Sequence, residues 1–179
     1  MSRASLLTQY DARSPNDFDW SLSTIGTRRR DRYTQSGLGQ SRRTEVRISE
    51  GGIVIKCEDK EPAWLRPTVQ ALIELLDLSE NWDSYGARPI SQEIAFFALQ
   101  LLDETMRADT PAPTVVPTNR GGIQFEWHTR GIDLEIEIQS PERTYVSYED
   151  HRSGNEWEAE ITSDLTRLSD ALSELSRRG

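Results

Sequence analysis

Three stretches of strict alternation place acids where recognition or catalysis could use them. Ile123, Phe125 and Trp127 alternate with Gln124, Glu126 and His128, and Ile132, Leu134, Ile136 and Ile138 alternate with Asp133, Glu135 and Glu137. Further on, Trp157, Ala159 and Ile161 alternate with Glu156, Glu158 and Glu160. A period of two belongs to a strand, whose side chains point to opposite faces in turn. The spacing therefore predicts that Glu126, His128, Asp133, Glu135, Glu137, Glu156, Glu158 and Glu160 share one face of a sheet, opposite the apolar set. Such a face can be a solvated, aggregation-resistant surface. It can also bind a basic protein, its carboxylates standing where a basic groove would hold phosphates. A third chemistry is a divalent metal acting on phosphates, held by hard oxygen ligands and one imidazole. Strand side chains run parallel rather than converging, and no His-Glu-x-x-His or phosphate-loop pattern occurs. The leading reading is the basic protein partner, with no metal and no cofactor assigned.

A nucleophile is harder to find. Cys57 is the single cysteine, it lies in an apolar run with no histidine nearby in sequence, and no Gly-x-Ser-x-Gly or Ser-x-x-Lys motif is present. One cysteine excludes an internal disulfide and a cysteine zinc cage, and two histidines exclude a multi-histidine metal site. The alternative to an interaction module is a small metal-dependent hydrolase or nuclease using Asp83, Glu126, His128 and Glu135.

The second dense group is Asn81-Trp82-Asp83-Ser84-Tyr85-Gly86-Ala87-Arg88-Pro89. Asn81 can close a helix in the left-handed conformation, Gly86 can take a positive φ, and Pro89 can lead into a cap at Ser91. Trp82 is then expected to plug the core, and Asp83 to pair with Arg88 or accept from loop amides. The competing reading is a recognition loop presenting Trp82, Asp83, Tyr85 and Arg88.

This loop, with Pro89 and Ser91, then Gly121-Gly122-Ile123-Gln124-Phe125-Glu126-Trp127 and Leu134-Glu135-Ile136-Glu137-Ile138, resembles an uncharacterised group of small bacterial proteins. They share an Asn-Trp-Asp-Gly-Tyr-Gly-Ala-like loop and a Gly-Gly-Ile-x-Leu-Glu-Trp strand. The likeness spans roughly residues 65 to 140, with Ser84 where glycine is usual and Phe125 where leucine is usual. The group has no settled activity, so the resemblance implies a bacterial or phage origin and supplies no catalytic residue. An antitoxin-like or immunity-like accessory of a mobile element is the matching context.

The elements that must position these residues follow from periodicity. Glu45 to Ile48 and Ile53 to Cys57 flank Gly51-Gly52 as a hairpin. Leu65, Val69, Leu72, Ile73 and Leu76 form one helical stripe, with Pro62 and Pro67 near its first turn and an end near Leu78. A second helix, capped by Ser91, carries Ile94, Phe97, Ala98, Leu101, Leu102 and Thr105. Four strands follow, the third (Thr144 to Tyr148) with apolar or aromatic groups on both sides, and Leu165, Leu168, Leu172 and Leu175 mark a last helix. The predicted fold is α+β in two layers: an antiparallel β-meander with an αα-hairpin and a C-terminal helix packed on one face.

The chain has 179 residues and a net charge of -9, enough for one domain with a core. Residues 1–45 carry eight arginines against five acids, while the remainder holds thirteen basic residues against twenty-five acids. Residues 1–42 are therefore read as a polar, Arg-containing tail and 43–179 as a single domain. Direct nucleic-acid binding is expected only weakly, through Arg28, Arg29, Arg30 and Arg32. No apolar run reaches bilayer length and the first residues lack a secretory signal, so no membrane partner and a cytoplasmic location are expected.

Overall fold

The computed structural model describes residues 6–11, 44–49 and 52–57 as strands, and residues 61–179 in full. The chain divides into two compact units, Met1–Glu61 and Pro62–Gly179. In the first, strands β1 (Leu6–Asp11), β2 (Thr44–Ser49) and β3 (Gly52–Cys57) form an antiparallel sheet of order β1-β3-β2. The expected hairpin is β2 with β3, in a register that sets Val46 opposite Ile55. Within the segment read as a tail, Leu6–Asp11 is a strand, with Thr8 opposite Ile55. Its six residues show no strong apolar period, because a strand can be held by the backbone ladder that the open edge of β3 offers. The rest of that segment, Arg28, Arg29, Arg30 and Arg32 included, lies outside the described residues. The division at Glu61 and Pro62 also groups the hairpin with β1, whereas the sequence reading joined it to the body.

The second unit runs α1 (Leu65–Leu76), α2 (Gln92–Thr105), β4 (Thr114–Pro117), β5 (Ile123–Thr129), β6 (Ile132–Ser140), β7 (Arg143–Asp150), β8 (Asn155–Ile161) and α3 (Thr166–Arg177). The five strands are an antiparallel meander in chain order, β4-β5-β6-β7-β8. The short edge strand β4 was not foreseen: it is four residues long and ends in Pro117, a residue that an edge tolerates. The helices cover one face. Ile123, Phe125, Trp127, Ile132, Leu134, Ile136, Ile138 and Val146 are buried beneath them, with Leu72, Leu99, Leu102, Leu168, Leu172 and Leu175. Trp127 secures its indole by donating to the Pro111 carbonyl at 2.8 Å.

Local chemistry explains the helix limits. Pro67 sits in the first turn of α1, where an amide hydrogen has no intrahelical partner. The Ser91 hydroxyl caps α2 by accepting from the Ile94 amide at 3.2 Å. On α2 the buried arc is wider than the stripe predicts: Ala95, Phe96 and Leu99 are covered as well, while Ile94 and Phe97 are half-buried. The reason is position, since α2 packs against α1, α3, β5 and β6 together. β7 carries aromatic groups on both sides, as expected, with Thr144, Val146, Tyr148 and Asp150 facing the core and Tyr145, Ser147 and Glu149 facing outward.

The chain's last turn is tied to the sheet. Asp150, 4% exposed at the inward-facing end of β7, receives both guanidinium nitrogens of Arg178 at 2.8 and 2.7 Å, the Ser153 hydroxyl at 2.6 Å and the Arg152 amide at 3.0 Å. Arg178 also reaches Glu174 at 2.8 Å, and Arg130 donates to the Leu175 carbonyl. A bidentate pair with every remaining lone pair occupied is the geometry that makes a buried ion pair tolerable.

Candidate functional site

The helix-free face of the five-stranded sheet carries the acids, in three rows that the register defines. His128, Asp133, Glu149 and Glu156 form one row across β5 to β8; Glu126, Glu135, Ser147 and Glu158 form the next; Gln124, Glu137, Tyr145 and Glu160 form the third. All eight residues expected on this face are on it. Glu149 is a further one, making eight carboxylates, and His151 follows just past the end of β7. Sequence reading missed both because Tyr145 and Tyr148 make β7 look apolar on either side. The usable signal was parity, since 145, 147 and 149 alternate with the buried 144, 146 and 148.

Three pairs of acids stand directly opposite each other: Glu126 with Glu135, Asp133 with Glu149, and Glu149 with Glu156. Such pairings cost up to about 1 kcal/mol each unless relieved. Two of the three are bridged. Gln124 Nε2 donates to Glu126 Oε1 at 3.0 Å and to Glu135 Oε2 at 3.1 Å. His151 lies between Asp133 Oδ2 at 2.8 Å and Glu149 Oε1 at 3.1 Å. His128 adds a contact to Asp133 Oδ1 at 3.0 Å and a longer one to Glu126 Oε2 at 3.7 Å. Hydrogen bonding to Asp133 pulls both imidazoles above their ordinary value of 6.5 and holds Asp133 below 3.8. Arg143 is the single basic residue of these five strands and is turned toward Tyr145, its Nε donating to the phenol oxygen at 2.7 Å.

Asp133, Glu149 and His151 each bring one donor atom to within 4.8 Å of the others, a spacing a cation could use. Yet both nitrogens of His151 already point at carboxylates, so the group is an ion-pair network and we assign no metal to it. The four residues of the hydrolase alternative are not gathered together. Glu126, His128 and Glu135 are neighbours on the sheet, while Asp83 closes its own loop, its Oδ1 accepting from the Tyr85 amide at 2.7 Å and the Ala87 amide at 3.0 Å. Those two bonds lower its pKa.

The Asn81–Pro89 loop is built from its own polar groups. Asn81 has φ +63° and Gly86 φ +92°, as expected, and Ser84 also takes a positive φ of +65°. The Asn81 side chain accepts from the Gly86 amide at 2.7 Å, and Trp82 Nε1 donates to the Arg88 carbonyl at 3.2 Å. Trp82 is half-buried rather than a core plug; the fully buried indoles among the described residues are Trp64 and Trp127. Tyr85, at 93% exposed, is the loop's outward group, and Arg88 is exposed as well. No Asp83–Arg88 ion pair forms among the described residues. The loop docks on the β4–β5 turn: the Arg88 amide donates to the Asn119 carbonyl at 3.1 Å, and a Cβ at Gly121 would meet the Pro89 carbonyl oxygen at 3.0 Å. The two most distinctive sequence segments are therefore in contact.

No helix among the described residues is long and apolar enough to cross a membrane. No family model, curated protein or solved structure matches the chain.

Proposed function

We propose that this chain is a non-enzymatic protein-interaction module, of an antitoxin-like or immunity-like kind, that binds a basic partner through the acidic outer face of its sheet. The observation that carries the reading is the arrangement of eight carboxylates in cross-strand rows on the face without helices. Against Arg143 alone they leave seven negative charges when both imidazoles are neutral. Glutamine and histidine bridges keep these acids close together, where a solvated surface would gain from spreading them. A basic protein supplies the missing counter-charge and is steered toward the face by the same field.

The test is recovery of the partner from the native host at low salt, with wild-type chain and with the triple variant Glu135→Gln, Glu137→Gln and Glu158→Gln. A basic protein that co-elutes with wild type, is released by salt and is lost with the variant supports the reading. Capture that survives both salt and the triple substitution would move the site to the Trp82, Asp83, Tyr85 and Arg88 loop.

A further inference from the structure

We propose that His128 and His151 are pH-responsive counter-cations of the acidic face, which holds a basic partner weakly when both imidazoles are protonated and tightly when both are neutral. This rests on the acidic-face reading and adds its regulation. The geometry is the argument. A carboxylate only accepts hydrogen bonds, and a neutral imidazole has one N–H and one lone pair. His151 presents Nε2 to Asp133 at 2.8 Å and Nδ1 to Glu149 at 3.1 Å, an arrangement in which only the imidazolium offers a donor to both carboxylates. His128 repeats the pattern in looser form, with Nδ1 on Asp133 at 3.0 Å and Nε2 toward Glu126 at 3.7 Å. Asp133 thus joins the two rings through its two oxygens.

The charged groups facing each ring are all acidic. Glu126 on β5 and Asp133 and Glu135 on β6 face His128; Asp133 on β6 and Glu149 on β7 face His151. Arg143 stands at the other end of β7, and the Arg152 side chain lies over Gly131. Both rings are about half exposed, at 53% and 48%, so their protons exchange with solvent. When protonated they occupy Asp133 and Glu149 and cut the face from seven negative charges to five. When neutral, each ring has one N–H and can hold one carboxylate at most, which leaves the other for lysine or arginine of the partner.

Two measurements on the full chain test this. The chain has only two histidines, so an NMR titration of the imidazole C–H signals follows each ring. Both should titrate above 6.5, and Asp133→Asn should bring both down; Glu149→Gln, a second variant should the first not fold, should lower His151 alone. Either ring titrating at or below 6.5 in wild type, or failure of a folded variant to shift it, overturns the proposal. Decalysine, whose ammonium groups stay charged over the range used, is then titrated at pH 6 and pH 8.5 at constant ionic strength. Affinity should rise roughly five-fold with pH, the worth of two exposed charge contacts, and the rise should vanish in His128→Gln/His151→Gln. Binding that is tight but pH-independent overturns the switch and leaves the acidic face standing. Absence of binding at both pH values overturns both, with the titration curves still reporting on the cluster.

Discussion

Ser84 and Gly122 show how single positions carry the loop and its seat. Ser84 holds φ +65°, a conformation that costs a residue with a Cβ about 1–2 kcal/mol relative to glycine. Ser84→Gly is expected to raise stability by up to about 1 kcal/mol, after the larger unfolded-state entropy of glycine is set against the relieved strain. Gly122 is constrained by space, since a Cβ there would lie 2.5 Å from the Ile138 carbonyl oxygen and 2.9 Å from Thr118 Oγ1. Gly122→Ala should lower stability by about 1–3 kcal/mol, the range for overpacking against fixed atoms. Urea denaturation followed by tryptophan fluorescence reads both, because four of the five tryptophans lie in residues 62–179. Trp82, being half-buried, should cost clearly less on truncation than the 3–5 kcal/mol usual for a buried indole.

At the level of elements, α3 depends on one ion pair to close onto the sheet. Hydrogen bonds from Arg178 and Ser153 hold the Asp150 carboxyl well below its ordinary range. A depressed folded value means that the stabilisation is present above 3.8 and is lost as pH falls below it. Arg178→Ala leaves a buried carboxylate without its partner and should lower the urea midpoint at pH 7 more than the double variant Asp150→Asn/Arg178→Met does. Asp150→Asn should also flatten the loss of stability between pH 5 and pH 3, measured as urea midpoint against pH. An unchanged acid limb in that variant would show that other carboxylates govern acid unfolding.

For the whole molecule, the net charge is -9, and the sheet's open face by itself carries seven negative charges when both imidazoles are neutral. The Gln triple variant at 135, 137 and 158 should be slightly more stable than wild type at low salt. The gain should shrink as the screening length falls from about 30 Å at 0.01 M to 3 Å at 1 M. The pH profile should have two limbs. Raised imidazole values mean that the histidine contribution is complete below 6.5 and is lost as pH rises through the folded values. Depressed values at Asp133 and Asp150 mean a loss below 3.8. Stability should therefore be greatest between these limits, and His128→Gln/His151→Gln should remove the decline above pH 6.5 while leaving the acid limb.

What local sequence determined was whatever a period of two or 3.6 can encode: the meander from Ile123 onward, the helices at Leu65–Leu76, Gln92–Thr105 and Thr166–Arg177, and the outward parity of the acids. The Ser91 cap and the positive φ at Asn81 and Gly86 were legible too, since each needs only its near neighbours. Tertiary structure decided the rest. Strand β1 forms on another strand's edge, and Phe96 rather than Phe97 is buried because α2 has neighbours on several sides. Glu149 and His151 meet Asp133 only through the β6–β7 register, and Arg178 finds Asp150 across 28 positions of chain. These contacts depend on which residues the finished fold sets opposite one another, and a single strand or helix carries no record of its partner.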